Sequence, residues 1–186
     1  MNILNICVYG AASENIPDVY KDGAFALGAS IARAGHRMVY GAGSTGVMGA
    51  AARGMDSEHG YIIGVTPRFI EDVEPTYSCT ELIYTETMAE RKVIMEEKAD
   101  AFIIGPGGIG TYDEFFQVLT LKELGRLGKK PIIVYNTNGY YNELLKAMDT
   151  GLQLKFIRDG VRELYCVCDN PEDALRVINE AYREEA

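Results

Sequence analysis

Short, wholly apolar runs alternate along the chain with longer stretches in which apolar residues recur every three to four positions. The run Ala-Phe-Ile-Ile at 101–104 is apolar throughout, as strands covered on both faces of a sheet are. The longer stretches have the period of amphipathic helices. The pattern predicts strands over residues 3–9, 37–40, 61–65, 81–85, 101–104, 131–135 and 164–167, and helices over 18–34, 47–59, 87–98, 112–124, 140–150 and 172–184.

This alternation predicts an α/β protein with a Rossmann-like, doubly wound parallel sheet of about seven strands and helices on both faces. No repeat or linker interrupts the 186 residues, so we expect a single domain over 1–186. The longest irregular connection, 66–80, contains Pro67 and Pro75. We expect it to be a lid or an interface loop.

Three glycine-containing loops follow predicted strands, at 10–13, 41–49 and 105–111. Ligands of open parallel sheets bind at this edge. The second loop contains G-x-G-x-x-G but follows the second strand, and no acidic residue stands at a convincing strand end about 20 residues further on, as dinucleotide binding requires. We interpret it as a loop that approaches a mononucleotide, with Ser44 and Thr45 as donors to phosphate, or that packs against the third loop.

The third loop, Pro-Gly-Gly-Ile-Gly at 106–110, joins a buried strand to a helix. Such a junction directs backbone N–H groups and the positive end of the helix dipole at one point, which suits a phosphate. Thr111 and Glu114 have the spacing of a capping box, so Glu114 is either a capping partner or a carboxylate beside an anion site. The second interpretation indicates an enzyme that acts on a nucleotide.

Composition narrows the class of partner and the setting. The net charge of −9 argues against binding to nucleic-acid polymers, although a small nucleotide needs only local cations and N–H groups. The four cysteines lack zinc-site spacing, and we expect them to be reduced, in a cytoplasmic protein. No apolar run reaches the roughly 18 residues that would cross a membrane, and the N-terminus reads as a strand rather than a signal peptide.

Arg91 and Lys92 stand early in the helix predicted over 87–98. Alone, they would be solvated charges paired with nearby glutamates such as Glu90. Together with the glycine loop, they acquire a second interpretation as cations that face a phosphate site.

Met88–Lys92 followed by Pro106-Gly107-Gly108-x-Gly110-Thr111-x-x-Glu114 resembles the LONELY GUY family of cytokinin-activating phosphoribohydrolases, formerly described as lysine decarboxylases. The resemblance continues through 39–49, 63–69, 80–82, 123–125, 130–131 and 138–141. Nothing in the chain indicates a lysine that would hold pyridoxal phosphate.

The resemblance implies hydrolysis of the N-glycosidic bond in adenosine 5′-monophosphates, N6-modified or not, to free base and ribose 5-phosphate. It assigns catalysis to Arg91 and Glu114 and the nucleotide site to a further set: Lys92, Gly107, Gly108, Gly110, Thr111 and Thr120. It implies no cofactor, no metal, and at least a homodimer with active sites near the interface. The alternative is a carrier of the same superfamily that binds a nucleotide or cofactor without turnover.

The chemistry fits this assignment. Cleavage builds positive charge at C1′, which a carboxylate stabilises while it activates water. We expect the helix dipole to keep Glu114 ionised. Arg91, a permanent cation, would hold phosphate or orient Glu114.

Overall fold

The computed structural model describes residues 2–70 and 75–183. Its elements, in chain order, are β1 Asn5–Tyr9, α1 Asp18–Arg33, β2 Arg37–Tyr40, α2 Gly46–Ser57, β3 Tyr61–Pro67, β4 Glu81–Thr85, α3 Met88–Lys98, β5 Ala101–Ile104, α4 Ile109–Glu123, β6 Ile132–Tyr135, α5 Asn142–Gln153, β7 Cys166–Cys168 and α6 Pro171–Ala181.

The seven strands form one sheet in the order β4-β3-β2-β1-β5-β6-β7, and each pairing is parallel. The chain runs outward from β1 to β4 and then crosses back to place β5 on the other side of β1. Tyr9 at the end of β1 is in register with Ile104 at the end of β5. The predicted doubly wound sheet is confirmed, and its order reverses between β1 and β5, where such sheets bind ligands.

Helices cover both faces because the inner strands bury alternate residues on opposite sides. Ile6 and Val8 of β1 pack with α1, α2 and α6, whereas Cys7 and Tyr9 pack with α3, α4 and α5. Arg91 and Glu114 are carried by α3 and α4, so this second layer positions the residues that the resemblance assigns to catalysis.

Helix α4 begins three residues earlier than predicted, whereas α3 begins within one residue of its predicted start. Helix α4 begins at Ile109 with Gly108 as its N-cap, so Thr111 lies inside the first turn and caps nothing. The predicted Thr111–Glu114 capping box is therefore wrong. The capping box precedes α3: the Thr87 hydroxyl accepts the Glu90 N–H, and the Glu90 carboxylate accepts the Thr87 N–H. Glu114 is free of any capping role.

The irregular connection after β3 is shorter than predicted. Thr66 and Pro67 belong to β3, and a single 3₁₀ turn follows at Arg68–Ile70. Residues 71–74, the middle of the predicted lid or interface loop, lie outside the described residues. Beyond them, the loop at 75–80 packs against the second glycine loop: Ser44 N–H donates to Pro75 O and Tyr77 N–H to Ala42 O.

The described part of the chain contains no helix with the length and apolar character needed to cross a lipid bilayer.

Candidate active site

A cavity of about 340 Å³ opens at the carboxyl ends of the strands, where the strand order reverses. Its volume is in the range of small-molecule sites. All three glycine loops contribute to its wall, as predicted. The lining residues are Gly10, Ala11, Ala12, Ser13, Gly41, Met48, Thr66, Ile70, Met88, Arg91, Lys92, Gly108, Gly110, Thr111, Asp113 and Glu114.

The second glycine loop is hydrogen-bonded to the first. The Thr45 hydroxyl donates to Ala12 O at 2.6 Å, and Met48 N–H donates to Ala11 O at 3.2 Å. Ala11 N–H in turn donates to Pro106 O at 3.0 Å, which links the first loop to the third. Neither Ser44 nor Thr45 lines the cavity, which gives their predicted role as phosphate donors no support, whereas Gly41 and Met48 of the same loop do line it. The hydrogen bonds of this loop to the other glycine loops run to the first, and not to the third as the packing interpretation expected.

Arg91 and Glu114 form a buried ion pair at the cavity wall. Arg91 Nη1 donates to Glu114 Oε1 at 3.0 Å, Nε donates to Val65 O at 3.1 Å, and the two residues are only 7% and 8% exposed. The capping box fixes where α3 begins and thereby places Arg91 in its first turn. Glu90 is occupied by Glu86 N–H and Thr87 N–H. The interpretation of Arg91 as a solvated helix charge is therefore wrong.

The second loop also makes room for the guanidinium. A Cβ placed on Gly41 would lie 1.8 Å from Arg91 Nη2, far inside van der Waals contact. A side chain at position 41 would therefore push the guanidinium out of the position in which it contacts Glu114.

Burial raises the pKa of Glu114 from 4.5 to about 7, and the charge and hydrogen bond of Arg91 hold it from rising further. The expectation that the helix dipole keeps this group fully ionised is wrong, because desolvation outweighs the dipole. A carboxyl group with a pKa near neutrality both accepts and releases protons under physiological conditions.

A second ion pair joins the same two helices nearer the solvent. Lys92 Nζ lies 2.8 Å from Asp113 Oδ2, and both residues line the cavity. Asp113 is the fifth residue of α4. The pair balances the charge of Lys92 and leaves its ammonium at the cavity mouth.

The glycines of the third loop differ in what their surroundings require. Gly107 is buried, and a Cβ there would lie 2.1 Å from Thr111 Oγ1, so packing of the Thr111 side chain requires glycine. Gly108 and Gly110 line the cavity, and a Cβ on either would meet no protein atom within 4 Å. Neither has a positive φ. Neither protein packing nor backbone conformation therefore requires glycine at these two positions.

Thr120 is separate from the other residues that the resemblance assigns to the nucleotide site. It is exposed on α4 and does not line the cavity. It lies about 15 Å from Gly110 along the helix axis, at 1.5 Å per residue.

Sequence reasoning missed Thr66, Met48 and Ile70, which also line the cavity. Thr66 is detectable in principle, because it stands near the carboxyl end of β3 and faces the same edge of the sheet as the glycine loops. Met48 and Ile70 carry no chemical signal that separates them from ordinary core residues.

The fold and the cavity define a Rossmann-like α/β protein with a small-molecule site at the switch point of its sheet. The same fold occurs in the molybdenum cofactor binding protein of Rippkaea orientalis, with a TM-score of 0.75 at 22% identity over 98% of this chain and 99% of that one. The molybdenum cofactor carrier protein of Chlamydomonas reinhardtii gives a TM-score of 0.71 at 22% identity, over 96% and 98% of the two chains.

Sequence comparison is more specific. Residues 48–178 match the family model described as "possible lysine decarboxylase". The chain is 37% identical to the cytokinin riboside 5′-monophosphate phosphoribohydrolase of Mycobacterium tuberculosis, over 92% of this chain and 91% of the relative. It is 38% identical to the enzyme of the same name from Rhodococcoides fascians, over 82% and 77%. The chain belongs to this phosphoribohydrolase family, so the resemblance noted in the sequence is confirmed.

Proposed function

We propose that this protein hydrolyses the N-glycosidic bond of adenosine 5′-monophosphates, N6-modified or not, and releases the free base and ribose 5-phosphate. The observation that carries the proposal is the buried Arg91–Glu114 pair beside a helix start whose glycines have no packing role. A protein that only binds a ligand does not need a desolvated carboxyl group at the cavity wall. The names of the relatives point to the same reaction.

The phosphate is proposed to lie on the first turn of α4. The N–H groups of this turn have no preceding turn to bond, and Gly108 and Gly110 leave space for close approach. Lys92 at the mouth adds a cation. A phosphate that contacts the backbone N–H groups needs space at both positions. This need explains why Gly108 and Gly110 are glycines although neither packing nor backbone conformation requires it.

Glu114 is proposed to act at C1′. In its ionised form it accepts a proton from water, the water oxygen attacks C1′, and the C1′–N bond breaks. The base takes up a proton at nitrogen from solvent, and Glu114 returns the proton of the water to solvent, so that one water is consumed. The positive charge that develops on the ribose is stabilised by the carboxylate. Arg91 keeps part of the Glu114 population ionised, because its charge opposes the effect of burial.

The proposed assembly is a homodimer with active sites near the interface. Five exposed residues lie at helical spacing along one side of α4, three of them apolar: Ile109, Asp113, Phe116, Thr120 and Leu124. If two copies pack this side antiparallel around a twofold axis, the amino end of one α4 lies near the carboxyl half of the other. Thr120 of the partner subunit then lies at the cavity that it does not line within its own chain.

The proposed setting is the cytoplasm. All four cysteines are free thiols, as expected in a reducing compartment.

Purified protein is incubated with AMP and with isopentenyl-AMP, and chromatography is used to detect free base and ribose 5-phosphate. The expected result is release of both products in equal amounts. Glu114→Gln should lower kcat by at least about 100-fold and retain AMP binding. Glu143→Gln, an exposed position on α5 that does not line the cavity, is the matched control and should be as active as the unmodified protein. If AMP binds and neither nucleotide is hydrolysed, the carrier alternative is correct.

A further inference from the structure

Two consecutive tyrosines in the loop after β6 donate hydrogen bonds to the third glycine loop. Tyr140 Oη donates to Gly107 O at 2.6 Å, and Tyr141 Oη donates to Gly105 O at 2.7 Å. The loop that carries them is itself fixed, because the Asn136 side chain accepts the Tyr141 N–H at 2.7 Å. Both hydroxyls therefore hold the glycine loop from the side of β6.

The two hydrogen bonds have different consequences, because Gly107 is followed by a residue with a backbone N–H and Gly105 is followed by a proline. In a trans peptide, the C=O of one residue and the N–H of the next point in opposite directions. The Gly107–Gly108 peptide is trans, so holding Gly107 O against Tyr140 turns the Gly108 N–H away from Tyr140. Gly108 lines the cavity, with open space at its Cα. The carbonyl of Gly105 is followed by Pro106, which has no N–H to orient.

We propose that Tyr140 is a positioning residue for the substrate phosphate: its hydroxyl fixes the Gly107–Gly108 peptide plane so that the Gly108 N–H donates to a phosphate oxygen. Tyr141 supports the same loop but orients no donor. This inference rests on the proposed function, since it assigns the anion at α4 to the phosphate of the nucleotide. It adds a residue outside the cavity wall to the set that determines affinity.

The surroundings of Tyr140 suit a permanent donor. Its ring makes edge contacts with Tyr20 and Tyr141, at centroid distances of 5.5 and 4.9 Å. Burial and the neighbouring Tyr112 hydroxyl raise the pKa of Tyr140 to about 12. The hydroxyl therefore stays protonated and keeps Gly107 O as its acceptor at every pH at which the protein would be assayed.

The test compares Tyr140→Phe with Tyr141→Phe. Affinity for AMP and for adenosine, which lacks the phosphate, is measured by calorimetry, together with kcat, KM and thermal stability. Tyr140→Phe should weaken AMP binding and raise KM about fivefold to tenfold, the range that loss of one hydrogen bond produces. Its affinity for adenosine and its kcat should stay within twofold of the unmodified protein. Tyr141→Phe should lower the melting temperature and leave the affinity for AMP unchanged.

Equal AMP affinity in Tyr140→Phe and the unmodified protein would overturn the inference, and so would an equal loss for adenosine and AMP. If Tyr140→Phe does not fold, Gly108→Pro and Gly108→Ala give the answer, because both add a Cβ and only proline replaces the N–H, with the Cδ of its ring. Weaker AMP binding by the proline variant alone supports the inference, and equal binding by both contradicts it. Failure of the proposed function is distinguished from failure of this inference by an assay of the unmodified protein. If the proposed function is wrong, that protein binds AMP without hydrolysing it.

Discussion

Glu114, the carboxyl group proposed to act at C1′, has a pKa that is set by two opposing effects. Burial favours the neutral form, and Arg91 at 3.0 Å favours the charged form. Desolvation is the larger effect, so the pKa is raised to about 7. Between about 4.5 and 7 the folded protein holds a proton that the unfolded chain has released. The contribution of this group to stability is therefore lost as the pH rises through that interval.

The raised pKa predicts an acidic limb in the pH profile of the reaction. Because the proposed mechanism uses the ionised carboxylate, kcat/KM should rise about tenfold per pH unit below 7 and level off above it, since kcat/KM reports groups of the free enzyme. The phosphate ester of the substrate also ionises near pH 6. Its pKa is measured by ³¹P NMR of the free substrate, so that its ionisation is distinguished from that of Glu114. A value of kcat/KM that falls as the pH rises through 7 would mean that the protonated form is the active one.

The pairing of Arg91 with Glu114 was predictable from the sequence only through the family resemblance. The residues are 23 positions apart, and both patterns have ordinary explanations as helix charges or caps. Three T-x-x-E patterns occur in the chain, at Thr87, Thr111 and Thr120. Local spacing does not distinguish the capping box at Thr87 from the other two patterns. The difference arises because Gly108 starts α4 three residues earlier, a tertiary effect that releases Glu114.

At the level of elements, most bounds were predicted closely, and the helix starts that differ by more than one residue are those of α4 and α5. The predicted bounds of β2, β4 and β5 agree with the structure, because short apolar runs leave little choice of register. Helix α5 begins at Asn142 instead of 140 because a 3₁₀ turn at Thr137–Gly139, with Asn138 at φ 52°, precedes it. The sequence predicted that helix α4 begins at residue 112, after the glycine loop, yet Gly110 lies within this helix.

The position of Gly110 inside a helix allows stability and binding to be separated. Gly110→Ala should stabilise the fold by up to about 1 kcal/mol, because alanine loses less backbone entropy in a helix. The same methyl group projects into the cavity and should weaken AMP binding about tenfold. Gly160→Ala is the control, since a Cβ there has only Glu163 Oε2 within 4 Å, at 3.8 Å. Denaturant titration and calorimetry measure the two effects. Unchanged AMP affinity in Gly110→Ala would mean that the phosphate does not lie on this turn.

At the scale of the whole molecule, the sequence predicted a doubly wound parallel sheet but not the order of its strands. Alternating elements require a parallel sheet, and the position of the reversal between β1 and β5 follows only from the structure. That position explains why loops 10–13 and 105–111, far apart in sequence, form one wall of the cavity. The isolated chain also leaves Phe116 40% and Ile109 81% exposed beside that cavity, which the proposed dimer would cover.

The proposed dimer predicts that association and activity are lost together. Phe116→Asp places a charge on the exposed side of α4 and should give monomers in analytical ultracentrifugation, with at least a tenfold lower kcat/KM because Thr120 of the partner subunit is withdrawn. Phe25→Asp, on α1 at the opposite face of the sheet and 42% exposed, should leave both properties unchanged. A fully active Phe116→Asp monomer would show that each chain carries a complete site.

The contact of Arg91 with Gly41 restricts substitution at position 41. The guanidinium occupies the space in which any other residue at 41 would carry its Cβ, so the two positions are coupled although 50 residues separate them in sequence. A side chain at 41 would displace the guanidinium from its present position. A single substitution at this glycine is therefore expected to separate Arg91 from Glu114 while both sequence motifs that carry the family resemblance stay unchanged.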